Sequence, residues 1–168
     1  QIDDDLRWLV ALISDTGMRL AEAAGLKIED LKLDHQHPHI TLIPYSHRTL
    51  KTKSSERVIP LVGSSLWAAK RIKESSVNEF CFARYSNEEV CNSNSASAAL
   101  NKWIKTIAGK DAVIHGLRHS FRDRLREVEA PSELIDQLGG WSLQSVGQSY
   151  GNGYAIENMS KWLEKIVL

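Results

Sequence analysis

Leu6, Leu9, Val10, Leu12 and Ile13 recur at the spacing of one helical face before Asp15-Thr16-Gly17 breaks the pattern. Leu20, Ala23 and Ala24 then share a side, predicting a short second helix from Arg19 to about Leu26. Between about Ile28 and Leu61 the pattern changes to short β-branched runs, His39-Ile40-Thr41-Leu42-Ile43-Pro44 and Arg57-Val58-Ile59-Pro60-Leu61. A polar Ser/Thr/Lys stretch separates them, so the expectation is a small antiparallel sheet with an exposed hairpin carrying Lys51 and Lys53. Beyond it the chain reads as helical, over Ser64–Glu74, Ser95–Ile107, Gly116–Val128, Pro131–Leu138 and Ile156–Val167. Pro131 suits a first helical turn, and Glu157 suits the positive end of the last helix. The predicted class is α+β, mostly α, with one small β-sheet in the first third.

Composition narrows this without deciding it. The 168 residues suit one domain, with 42% hydrophobic and 25% charged residues. No apolar run approaches the roughly 18 residues of a membrane span, so no membrane partner is expected. Cys81 and Cys91 stand without a CxxC partner, and the six histidines have no HExxH spacing. No disulfide framework, structural metal or cofactor is expected, and a reducing cytoplasm is the default compartment. Lys plus Arg (21) balances Asp plus Glu (21), so global charge announces no nucleic-acid partner. Locally, Arg48-Thr-Leu-Lys51-Thr-Lys53 and Arg118-His119-Ser-Phe-Arg122-Asp-Arg124 are basic, and phosphate contacts act locally.

Five separated pieces carry candidate chemistry. They are Thr16-Gly-Met-Arg19-Leu-Ala-Glu22-Ala-Ala-Gly25-Leu26, Lys51-Thr-Lys53-Ser-Ser-Glu-Arg57-Val-Ile-Pro60-Leu61, His115-Gly-Leu-Arg118-His119-Ser-Phe121, Leu138-Gly139-Gly140-Trp141-Ser142, and Tyr150-Gly151 nine positions after Trp141. Each alone is weak; in this order and spacing the set resembles the signature of tyrosine recombinases, the phage integrase family. The resemblance spans about residue 5 to Tyr150. It implies the helical catalytic domain of that family, acting on double-stranded DNA with neither ATP nor metal.

The implied roles follow from the chemistry. Attack of the Tyr150 oxygen on a phosphodiester builds negative charge on the nonbridging oxygens, which the forked guanidinium groups of Arg19 and Arg118 can neutralise. The product would be a 3′-phosphotyrosine and a free 5′-hydroxyl, conserving the phosphodiester energy. By resemblance Lys51 protonates the departing 5′ oxygen, with Lys53 as the adjacent competitor. His115 would donate to the phosphate and help take the tyrosine proton. Trp141 stands where the family most often has a second histidine; its indole N–H donates but carries no proton. Arg48, Lys53, His119 and Arg122 are candidate contacts to the DNA backbone.

Plainer readings exist for each residue. Arg19 can pair with Glu22 on its own helix, with Glu22 holding the arginine or the turn. The two lysines can be solvated hairpin charges, His115 a helix cap, and Trp141 core. Tyr154 is a rival nucleophile that breaks the spacing. Arg122 and Arg124 are expected on the outer part of their helix, touching DNA backbone or water. Trp103 and Trp162 read as core or interface rather than base-stacking platforms.

Ala155, Met159, Trp162, Leu163 and Ile166 form an apolar stripe after the nucleophile. By resemblance it would pack into a neighbouring protomer of a homotetramer on DNA, the protein being a monomer when free; covering its own domain is the alternative. Relatives also carry an N-terminal helical domain that closes around DNA, and this chain begins where their catalytic domain begins, so a fragment with weakened DNA affinity is expected. The expected function is integration or excision of a phage or genomic island. The alternatives are a type IB topoisomerase-like enzyme or telomere resolvase, and a DNA-binding regulator that has lost catalysis.

Overall fold

A computed structural model of the chain describes residues 3–141 and 153–168. Helix α1 (Asp5–Thr16) starts where the Asp4 carboxylate accepts from Arg7 N at 3.1 Å. It stops at Gly17, whose φ of 64° lies in the left-handed region and whose N–H donates back to Ile13 O. Helix α2 (Leu20–Ala24) follows at once. Strands β1 (Leu31–Lys32), β2 (His39–Leu42) and β3 (Arg57–Pro60) make an antiparallel sheet in the order β1-β2-β3, with Ile40 opposite both Leu31 and Ile59. Helices α3 (Gly63–Ser75), α4 (Ser93–Ala108), α5 (His115–Glu127), α6 (Ser132–Gly139) and α7 (Ile156–Glu164) complete the described chain.

The predicted class holds: mostly helix, with one small sheet. β1 was not anticipated, because two residues carry no readable alternation. Pro131 sits just before α6 as its cap rather than inside the first turn. The stretch between β2 and β3 is only partly an exposed hairpin. Lys51 and Lys53 are exposed, but His47 and Arg48 fold inward, the His47 ring lying 2.9 Å from Gly25 O.

The core gathers around α1. Leu9, Leu12, Ile13 and Met18 are fully or almost fully buried with Leu100, Phe121, Leu125, Leu134, Leu138 and Leu163. α1 packs on α3 and α5, and α7 packs on β3. The C-terminal stripe is therefore covered within this chain, with Met159, Leu163 and Ile166 buried. Arg124, expected on an outer surface, is instead drawn in. It donates to Asp15 Oδ1 (3.1 Å), Ile166 O (2.8 Å) and Ser14 O, tying α5 to the end of α1 and to the tail. Its long stem lets the guanidinium fork reach inward and donate to these two carbonyls.

Gly17 is where backbone geometry most constrains the sequence. A Cβ there would lie 2.3 Å from Phe121 Cδ1, on top of the left-handed φ. Gly17→Ala is expected to destabilise the protein by about 2–4 kcal/mol in urea unfolding, from backbone strain and overpacking together. Gly116→Ala, whose Cβ would meet open space on α5, should instead leave stability unchanged or raise it by up to about 1 kcal/mol. Equal losses at the two positions would contradict this steric account.

Candidate active site

The end of α1 and the start of α5 meet around a cavity of ~180 Å3 lined by Met18, Arg19, Ser97, Ile114, His115 and Arg118, among others. Arg19 enters it from the turn between α1 and α2. His115 is the first residue of α5, and Arg118 lies one turn on. The start of α5 is fixed by Asn101, whose Oδ1 accepts from Ile114 N at 2.8 Å.

Arg118 is buried, only 4% exposed, and has no carboxylate partner among the described residues. One arm donates to Gly17 O, while its Nη2 is buried without a partner in the described structure. Its guanidinium carbon lies 4.2 Å from the centre of the Trp141 ring. Burial, then the positive charge of Arg19, with lesser contributions from Arg57 and Arg122, push its pKa down to about 10 despite Glu22. It remains charged at neutral pH, in a place that favours an arriving anion.

Arg19 is held by Glu22. The carboxylate accepts from Arg19 N (2.9 Å) and from Arg19 Nη1 (2.8 Å), which also reaches Ser55 Oγ at 3.1 Å. Glu22 is thus structural, as the plainer reading had it, and the same contact orients Arg19 at the edge of the cavity. Burial pushes the Glu22 carboxyl up, but Arg57 and Arg19 outweigh it and hold it below the ordinary carboxylate value. His115 is lowered, first by partial burial and then by His119, Arg118, Arg19 and Lys51. Lys51 therefore stands within electrostatic reach of the cavity, at the surface of the β2–β3 connection.

The remaining predicted residues divide. His119 is exposed, its ring edge-on to His115 at 4.9 Å. Arg122 lies 4.8 Å over Trp141 and 3.7 Å from Asp136, and Lys53 is exposed. Arg48 departs from its expectation as a backbone contact. It is 4% exposed, donating to Glu22 O at 2.8 Å and to Ile43 O, so it braces the loop from inside and is withdrawn from any DNA surface. Tyr150 lies outside the described residues. Tyr154 is partly buried, its N–H donating to Gln137 Oε1 at 2.8 Å and its carbonyl accepting from Gln137 Nε2.

Two features were not foreseen. The sequence offers Trp141 as an N–H donor; the structure adds a ring stacked against Arg118 and Arg122. The motifs assign Arg57 no role, yet it is buried and engages Glu22 and two carbonyls. A charged residue inside an apolar strand was the available signal, since buried arginine requires partners. Among the described residues, no three His, Cys, Asp or Glu side chains are arranged to hold a metal ion, and no helix is long and apolar enough to cross a membrane.

Known proteins resemble this chain in sequence and in fold. The transposase from transposon Tn916 of Enterococcus faecalis is 35% identical over 77 residues, covering 42% of this chain and 19% of that protein. Tyrosine recombinase XerD of Corynebacterium glutamicum is 28% identical over 151 residues, covering 86% of this chain and 47% of its own length. The chain thus spans less than half of either relative. The Tn1549 transposon integrase, solved with a circular intermediate DNA, matches with a TM-score of 0.60 at 16% identity, over 95% of this chain and 58% of that one. XerA recombinase matches with a TM-score of 0.55 at 18% identity, over 95% and 52%. At these identities the structural likeness establishes the fold. The Phage integrase family profile matches residues 2–155, nearly the whole chain, and with the ordered motifs and the fold in agreement this protein belongs to the phage integrase family.

Proposed function

We propose that this chain is the catalytic domain of a site-specific DNA recombinase that cleaves and rejoins DNA through a 3′-phosphotyrosine on Tyr150. The observation that carries the reading is the surplus positive charge at the cavity: Arg118 is buried and cationic with no carboxylate partner among the described residues, and Arg19 borders the same space. Burying such a charge is costly unless an anion completes the site. A DNA phosphate supplies that anion, and its charge grows during attack, which makes the pair more effective in the transition state than in the ground state.

In this reading Arg19 and Arg118 hold the nonbridging oxygens while Tyr150 Oη attacks phosphorus. His115, kept neutral by its lowered pKa, donates to the phosphate and takes up the tyrosine proton. Lys51 protonates the 5′ oxygen as its bond to phosphorus breaks, with Lys53 as the adjacent competitor. Trp141 supports Arg118 from below. Lys53, His119 and Arg122 border the site as candidate backbone contacts. The DNA-bound Tn1549 integrase supports double-stranded DNA as partner. The whole protein would add an N-terminal clamping domain, act as a homotetramer on DNA, and move a phage or genomic island in a bacterial cytoplasm. Because α7 covers its own domain here, coupling of protomers through this segment would require its release. A DNA-binding regulator without catalysis is disfavoured by the retention of Arg19, Lys51, His115, Arg118 and Tyr150.

Incubation of the full-length protein with a nicked suicide duplex carrying the element's own junction is expected to give a protein–DNA adduct that survives denaturing electrophoresis and is lost in Tyr150→Phe. Specific binding without any adduct would instead favour the regulator.

The lowered pKa of His115 generates a pH test. The side chain should titrate with a midpoint below its ordinary 6.5 when followed by NMR. Adduct formation should fall as pH drops through that midpoint, because protonated imidazole accepts no proton. In His115→Gln the rate should be lower throughout and this acid limb absent; an acid limb that survives the substitution would contradict the assignment.

A further inference from the structure

Arg57 is remote from solvent and uses every guanidinium nitrogen. Nε donates to Leu138 O at 2.7 Å, Nη1 to Ser55 O at 2.7 Å, and Nη2 to Glu22 Oε2 at 3.0 Å, with Nη1 also 3.4 Å from Glu22 Oε1. Both side chains of the Arg57–Glu22 pair are 4% exposed. The three partners come from three of the five pieces that bear the chemistry. Glu22 holds Arg19. Ser55 follows the lysine-bearing turn and places its hydroxyl 3.1 Å from Arg19 Nη1. Leu138 lies in the last turn of α6, three residues before Trp141, on which Arg118 stacks. Gly140 fits the same junction. Its φ is 62°, and a Cβ there would lie 2.6 Å from Arg57 Nη1.

We propose that Arg57 is a positioning residue that sets Arg19, the lysine-bearing connection and the Trp141 platform at fixed distances around the phosphate. It acts through Glu22 on Arg19 and does not itself contact DNA. With Arg57 donating to both of its oxygens, the Glu22 carboxylate is held in one orientation as it accepts from Arg19 N and Nη1. Lysine cannot substitute fully, because one ammonium has no planar fork to span a carboxylate and two carbonyls. This role rests on the recombinase reading.

The test uses the full-length protein, the nicked duplex, and single-turnover adduct formation at saturating DNA. Arg57→Lys keeps a cation beside Glu22 and is expected to retain DNA affinity within about twofold while slowing adduct formation about 10–100-fold. On a duplex with a neutral methylphosphonate at the scissile position, where less charge needs Arg19, most of that deficit should disappear. A merely structural role would slow both substrates alike, and that result, or no slowing at all, overturns the proposal. If Arg57→Lys does not fold, the neutral pair Glu22→Gln with Arg57→Met leaves no lone buried charge. It should bind DNA, cleave the phosphate slowly and show the same substrate contrast; wild-type cleavage by this pair would overturn the proposal. A wild-type protein that forms no adduct would instead overturn the recombinase reading, and this role with it.

Discussion

One buried carboxylate, Glu22, organises the chemistry of this domain. It is almost sealed from solvent, so its charge must be matched inside the protein. Arg57 and Arg19 both donate to its carboxylate, and the backbone carbonyl of the same residue accepts from Arg48. Elements distant in sequence are thereby brought to one point: the turn after α1, the β2–β3 connection, β3 and the end of α6. A hydrophobic core fixes helices to within a side chain's slack; charged forks fix angles as well. The core around Leu9, Leu12 and Phe121 supplies the stability, and the Glu22 cluster supplies the register of the site.

The second constraint is an imbalance. Glu22 is already engaged by Arg57 and Arg19, and it only partly offsets the charge of Arg118. The strain shows in the pKa values: Arg118 is pushed down to about 10 and His115 is lowered, both first by burial and then by neighbouring positive charge. A site with surplus cation and a partly dry wall is destabilised when empty and stabilised by an anion. On the proposed reading, this is how a chain whose acids and bases are equal in number would act on a polyanion. Some of its acids pair internally, as Asp15 does with Arg124 and Asp3 with Arg71, while the cavity is lined by Arg19, His115 and Arg118 and by no acid among the described residues.

Much of this was legible in the sequence, for identifiable reasons. The α1 and α5 faces, the β2–β3 pair and the break at Asp15-Thr16-Gly17 follow from periodicity and from the glycine a left-handed turn favours. Arg19, His115, Arg118 and Trp141 were readable as an ordered set; the first three line one cavity and the Trp141 ring stacks against Arg118. What escaped was pairing across distance. Arg48 and Lys51 sit three positions apart in a basic run, yet one is buried and the other exposed, because only the former can reach Glu22 O and Ile43 O. Arg124 and Arg57 are hidden for the same reason. Local sequence records a charge but not the carbonyls that will receive it.

The central claim is that Arg19, His115 and Arg118 converge on one phosphate facing Tyr150. It is tested most directly by a crystal structure of the full-length protein on a nicked duplex with vanadate at the scissile position. The account predicts five-coordinate vanadium bonded to Tyr150 Oη. Its equatorial oxygens should lie within hydrogen-bond distance of Arg19, Arg118 and His115, with the Arg57–Glu22 pair intact behind them. Vanadate bound away from Arg118, or coordinated without Tyr150, would contradict it.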